Sequence, residues 1–190
     1  MISKLEIKRQ IFHMATGIIF AVLLLFNIIN EYHIFLFLCI SISLSYLSIT
    51  KKIPGIHYLL MHFDRPKDRT VFPGKGAIYI IIGILLSVVL FEKQIALAAI
   101  MILALGDSIG PLIGHFGRFK HPFNNTRYFE GLIAGIIAGF VGAWLFVPWT
   151  SALVASVIAM TVESIDEVKG MPINDNIVVP LIAGIILMIL

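Results

Sequence analysis

Long apolar runs separated by short polar breaks dominate the chain, and their lengths predict helices rather than strands. Seven runs stand out, at 11–29, 34–50, 77–91, 95–113, 131–147, 148–162 and 177–190. A helix crossing the roughly 30 Å hydrocarbon layer of a bilayer needs about 20 residues, fewer where flanking side chains reach for the interface. The pattern therefore predicts an all-α, polytopic integral membrane protein with about seven transmembrane helices. The break between the fifth and sixth runs rests on Pro148, which cannot continue a helical ladder, and on Trp149, which suits a membrane interface. The first run follows charged residues directly and lacks a small-residue cleavage site, so it reads as a span rather than a removed signal peptide. Residues 1–190 read as one membrane domain, without a soluble second domain, a low-complexity tract or an internal repeat.

The polar breaks are unequal. Threaded with the N-terminus in the cytoplasm, the outer connections (30–33, 92–94 and 147–150) are minimal, whereas the inner ones (51–76, 114–130 and 163–176) are long. That threading puts Lys4, Lys8, Arg9, Lys51, Lys52, Arg65, Lys67, Arg69, Lys75, Arg118, Lys120, Arg127 and Lys169 inside, and only Lys93 outside. This is the asymmetry of the positive-inside rule, and it places the polar chemistry on the cytoplasmic face.

Composition agrees with the pattern. Hydrophobic residues make up 59% of the 190 and charged ones 13%, with a mean hydropathy of +0.99, which excludes an ordinary soluble domain. A net charge of +3, from 14 Lys and Arg against 11 Asp and Glu, is too small and scattered for a nucleic-acid surface. The single cysteine, Cys39, lies in an apolar run, so an intrachain disulfide framework and a cysteine-based zinc site are both excluded. His57, His62, His115 and His121 are too dispersed for a zinc site. Gly131, Gly135 and Gly139 form a small-residue row suited to close packing, within the chain or across a homodimer.

Against this background a few charges stand out. Asp107 lies inside the fourth run, where an unpaired carboxylate costs up to about 3 kcal/mol and is retained for a partner, a metal or a polar cavity. Its neighbours Gly106, Ser108, Gly110 and Pro111 favour a local opening of the helix. Glu6, Arg9 and His13 share one stripe of the first helix. Gly74-Lys75-Gly76 opens the third span with a lysine and free backbone N–H groups, the elements of a phosphate site. Glu130 opens the fifth span after a loop carrying Arg118, Lys120 and Arg127. Glu163 closes the sixth, and Asn174-Asp175-Asn176 opens the seventh, with Asn176 a candidate helix cap. Asp166 and Glu167 read as a solvated loop. Asp107, Glu163 and Asp175 can thus converge as oxygen ligands of the kind Mg²⁺ takes when it bridges carboxylates to phosphates. A lipid-embedded scaffold with such a rim implies an enzyme joining a soluble phosphate donor to a lipid acceptor, and no Walker-type loop or protein-kinase signature is present.

These residues resemble a family. Glu6-x-x-Arg9-x-x-x-His13, Pro73-Gly74-Lys75-Gly76, Leu105-Gly106-Asp107-Ser108 with Gly114 and Gly117, Glu130-Gly131, and Glu163 followed by Asn174-Asp175-Asn176-x-x-x-Pro180 are similar, in order, to the polyprenol kinase family. That family includes dolichol kinase, phytol kinase and the CTP-dependent diacylglycerol kinase, and is related to the phosphatidate cytidylyltransferases. Two positions depart from its pattern: Arg127 where a lysine is expected, and Asn174 where an aspartate is expected. The resemblance implies transfer of the γ-phosphoryl group of CTP to the hydroxyl of a membrane lipid alcohol, polyprenol-like, phytol-like or a diacylglycerol. It implies Asp107, Asp175 and Glu163 at Mg²⁺; Lys75, Arg127, Arg9, Gly74, Gly76, Ser108 and Asn176 at substrate; Glu130 orienting Arg127 or the metal shell; and His13 or Asp107 taking the acceptor proton. Two other readings share these residues: a CTP-dependent cytidylyltransferase acting on a lipid phosphate, and a small transporter with Asp107 as its proton or cation site.

Overall fold

The computed structural model describes residues 3–51, 53–121, 124–164 and 174–190; Lys52, Asp166, Glu167 and Lys169 lie outside the described residues. Each of the seven apolar runs coincides with a helix. These are α1 (Lys4–Leu25), α2 (Glu31–Thr50), α5 (Lys75–Leu90), the rod formed by α6 (Lys93–Met101), a π-helical stretch (Ile102–Gly106) and α7 (Asp107–Gly114), then α8 (Phe129–Trp144), α9 (Trp149–Ser164) and α10 (Asp175–Ile189). By length and composition α1, α2 and the rod Lys93–Gly114 can cross a membrane; α5, α8, α9 and α10 are shorter apolar helices. The first helix begins seven residues before its apolar run, because Ser3 accepts the N–H of Glu6 and Glu6 pairs with Arg9 one turn on.

The connection 51–76 contains helices of its own, α3 (Pro54–Phe63) and α4 (Asp68–Val71). The fold is also not purely α-helical: β1 (Lys120–His121) pairs antiparallel with β2 (Asn124–Tyr128), Lys120 opposite Tyr128, with a bulge. This hairpin lies in a polar connection, where periodicity carries little signal.

The α6–α7 rod is the axis of the molecule. Ala98, Ala99, Ile102 and Leu103 pack against Ala143, Ala152, Ala155, Ala159 and Val179 of α8, α9 and α10. Leu97, Ile100 and Met101 pack against Ala21 and Leu24 of α1 and Ile78, Ile81 and Ile84 of α5. The small-residue row packs internally: a Cβ on Gly131 would lie 2.8 Å from Gly114 Cα, and one on Gly135 would lie 3.1 Å from the Gly106 carbonyl oxygen. The glycine row thus serves the α7–α8 crossing within the chain. Outward faces are strongly apolar, with Phe35, Leu36, Val141, Trp144 and Ile189 exposed, a surface suited to lipid. At the end of the bundle near the α1–α2 turn, Lys93 Nζ donates to the Leu25 carbonyl (2.9 Å) and to Asn27 Oδ1 (2.7 Å). Among the described residues, Arg9, Asp64, Lys75, Arg127 and Asp175 lie at the other end, around one cavity.

Candidate functional site

Stretches of chain from α1 to α10 meet around one cavity of about 870 Å³. Its polar end is lined by Arg9 and His13 from α1, Gly74, Lys75 and Gly76 from the start of α5, Asp107 from α7, Arg127 from β2, Glu163 from the end of α9, and Asp175 and Asn176 from the start of α10. Glu6 and Asn176, 170 positions apart in the sequence, therefore share one wall system.

Asp107 reaches the cavity because the helix changes pitch just before it. The π-helical stretch Ile102–Gly106 inserts extra backbone and ends at Asp107 itself, and π-bulges of this kind recur at functional sites. Gly106, Gly110 and Gly114 let α8 approach on the opposite side, so the Asp107 turn is held firmly without a large side chain. His13 faces Asp107 across the α1–α7 contact, Nδ1 lying 3.5 Å from Oδ2.

Arg127 sits at the centre of the charges. The hairpin delivers it, with one guanidinium nitrogen paired to Glu163 and the other 3.5 Å from Asp175 Oδ2. Burial acts to lower its pKa, but Glu163, with Asp175 and Asp107 behind it, outweighs that and raises it, so the guanidinium stays charged. Arg127 thus occupies the space between two of the three carboxylates expected to hold a metal. Among the described residues no three His, Cys, Asp or Glu side chains are close enough to form a ready-made metal cage. The donor set still fits a hard cation such as Mg²⁺, because carboxylate and amide oxygens surround one polar pocket and Mg²⁺ keeps several waters instead of demanding a full protein cage.

Lys75 owes its position to a residue the sequence reading passed over. Asp64, buried at the end of α3, accepts the Gly74 N–H on Oδ2 (2.9 Å) and the Arg65 N–H on Oδ1 (3.2 Å). Loss of water on burial raises the Asp64 pKa, against the lowering effect of the Gly74 hydrogen bond. Arg69 donates to the Asp64 carbonyl (2.9 Å) and the Met61 carbonyl (2.9 Å), and the Ser45 hydroxyl donates to the Pro73 carbonyl (2.6 Å). Gly74 itself takes φ of 73°, the left-handed region where a side chain is strained. A Cβ on Gly76 would meet nothing within 4 Å, so that glycine is not required for packing. Gln10 was also missed; it is buried, lines the cavity, and donates to Glu6 Oε1 (3.1 Å).

Two expected site residues, Glu130 and Ser108, are placed differently. Glu130 lies outside the cavity lining, and its carboxylate accepts the N–H groups of Arg118 (2.7 Å) and Phe119 (3.2 Å), so it fastens the loop that carries the hairpin. Ser108 is fully buried away from the cavity and cannot touch substrate there. The helix cap of α10 is Asn174, whose side chain accepts the Asn176 N–H (3.1 Å); Asn176 is left to line the cavity.

The chain is 30% identical over 187 residues to an uncharacterized protein from Methanocaldococcus jannaschii, across 96% of this chain and 92% of that one, and it belongs to the same family. It is similar over shorter stretches to two plant proteins. One is a probable phytol kinase 1 of rice chloroplasts (Oryza sativa subsp. japonica), 28% identical over 123 residues. The other is a probable chloroplastic phytol kinase of wheat (Triticum aestivum), 31% identical over 124 residues. Each alignment covers 56% of this chain, and 39% and 41% of the rice and wheat proteins respectively. No family model and no solved structure matches.

Proposed function

We propose that this protein is a membrane-embedded kinase of lipid alcohols, which transfers the γ-phosphoryl group of CTP to the hydroxyl of a polyprenol-like or phytol-like lipid or of a diacylglycerol. The observation that carries the reading is the make-up of the cavity lined by Asp107 and Arg127. Carboxylates and cations from distant parts of the chain line one end, and apolar side chains of α2 and α3 line the other. Such a cavity suits a charged donor meeting an apolar acceptor. The partial similarity to two proteins named as phytol kinases supports the acceptor class.

In this reading seven helices span the bilayer, with the N-terminus and the polar end of the cavity on the cytoplasmic side. The acceptor oxygen forms a bond to the γ-phosphorus as the bond to the β,γ-bridging oxygen breaks, and CDP leaves with that oxygen. The hydroxyl proton passes to the His13–Asp107 pair, whose members lie 3.5 Å apart on the cavity wall. Lys75 and Arg127 bind and neutralise the donor phosphates, and Arg9, one turn before His13, supports the same end. Asp107, Asp175 and Glu163 are the residues that would hold Mg²⁺, whose charge would further neutralise the phosphates. Arg127 leaves its carboxylate partners for the donor when CTP arrives, and this exchange is the step the arrangement most requires.

The deciding experiment supplies membranes containing the protein with a panel of lipid alcohols and CTP labelled at either the α- or the γ-phosphate. Lipid labelled from the γ position alone is the expected result. Label arriving from the α position would make the protein a cytidylyltransferase and overturn the kinase reading.

A further inference from the structure

The apolar half of the cavity follows two helices. From the polar end it runs between α2 and α3, walled on one side by Phe37, Ile40 and Leu44 and on the other by Ile56, Leu59 and Phe63. Both sets follow helical spacing, so each is a single stripe along its helix. The two helices have other partners: α2 packs chiefly on α5, and α3 chiefly on α1, where Phe63 meets Phe12 at 4.9 Å between ring centroids. α2 and α3 touch each other less than they touch these partners, so the seam between them is loosely packed. Phe37, Ile40 and Leu59 line the cavity and are nonetheless 48%, 47% and 46% exposed, so this wall also faces the outside of the bundle.

The seam has no polar claim on an occupant. The α2 hydroxyls along it are spent within the chain, Ser41 on the Phe37 carbonyl (2.8 Å), Ser48 on the Ser45 carbonyl (2.7 Å) and Ser45 on the Pro73 carbonyl (2.6 Å). The last of these bonds marks where the seam stops, because Pro73 precedes the Gly74 turn that sets Lys75 at the polar end. An apolar lane open to the membrane at one end and stopped by a phosphate-binding turn at the other fits a molecule with a hydrocarbon chain and one polar head.

We propose that the α2–α3 seam receives the hydrocarbon tail of the lipid alcohol directly from the bilayer and sets which tails the protein accepts. The proposal rests on the lipid-alcohol reading for the identity of the head group, while the tail site itself is defined by the seam. It makes α3 the movable wall, since α3 contributes no buried residue to the core whereas α2 is anchored through Ile34 and Leu38.

The test uses the full chain in phosphatidylcholine and phosphatidylglycerol vesicles with a linear isoprenoid alcohol bearing a diazirine on its tail. After irradiation, label is expected on the peptides covering 31–50 and 54–63. Ile40→Trp and Leu59→Trp, both at half-exposed positions that tolerate bulk, are expected to raise the apparent KM for long-chain alcohols about tenfold while leaving a short water-soluble alcohol unaffected. Ile185→Trp, on the exposed face of α10, is expected to change neither. Label confined to other helices, or Trp variants that treat long and short alcohols alike, would overturn the seam even if phosphorylation were intact. Label on α2 and α3 without phosphorylation of any alcohol would support the seam and sink the kinase reading alone.

Discussion

Arg127 carries the largest share of the expected effect of any one cation. It is paired with Glu163 and Asp175 and must exchange those partners for donor phosphates, so Arg127→Ala is expected to lower lipid phosphorylation about 100-fold. Arg127→Lys keeps the charge but loses the bidentate fork, and a higher KM for CTP with a smaller fall in kcat is expected from initial rates at varied CTP. Asp64 is a positioning residue by contrast. Asp64→Ala strands the Gly74 N–H in a half-buried turn and is expected to cost about 1–3 kcal/mol of stability, read by thermal unfolding in detergent. Asp64→Asn retains an acceptor and should recover most of that loss. Of these two residues, only Arg127 was legible beforehand. Asp64 sits in the run Asp64-Arg65-Pro66-Lys67-Asp68-Arg69, which reads as an ordinary charged loop, and nothing local shows that one of its carboxylates turns inward.

The same division holds for the helices. The seven apolar runs gave the positions of seven helices, because a continuous stretch that excludes water must satisfy its backbone within itself. The glycine row on α8 was legible as a packing face, but its partners Gly106, Gly110 and Gly114 emerge only from the crossing with α7. Short elements within polar connections, α3, α4 and the hairpin, were not legible, since each depends on contacts from elsewhere. Gly83 lies tight against α10: a Cβ there would lie 2.0 Å from the Asn176 carbonyl oxygen and force α5 from α10 beside the cavity. Gly83→Ala is expected to cost about 1–3 kcal/mol, whereas Gly76→Ala, with open space around it, should leave the unfolding temperature unchanged or slightly raised.

At the scale of the molecule the charges and the cavity describe a one-sided object, with Lys75, Arg127 and the carboxylates at one end. In a background where exposed Cys39 is replaced by serine, single cysteines at Lys67 and Lys120 are expected to react with an impermeant thiol reagent only after cells are permeabilised. Lys93→Cys should react in intact cells, and a reversed pattern would turn the orientation over. The order of the motifs along the chain suggested that acidic residues from distant helices converge; the structure gathers them around one cavity and inserts Arg127 among them. The insertion was not legible, because it depends on the hairpin's path and not on residue spacing. The most direct measurement compares wild type with Asp107→Asn, both reconstituted in vesicles, for γ-phosphoryl transfer from CTP to a long-chain lipid alcohol. The account predicts a variant that inserts and unfolds like wild type but transfers at least about 100-fold more slowly. Equal rates from the two proteins would contradict it.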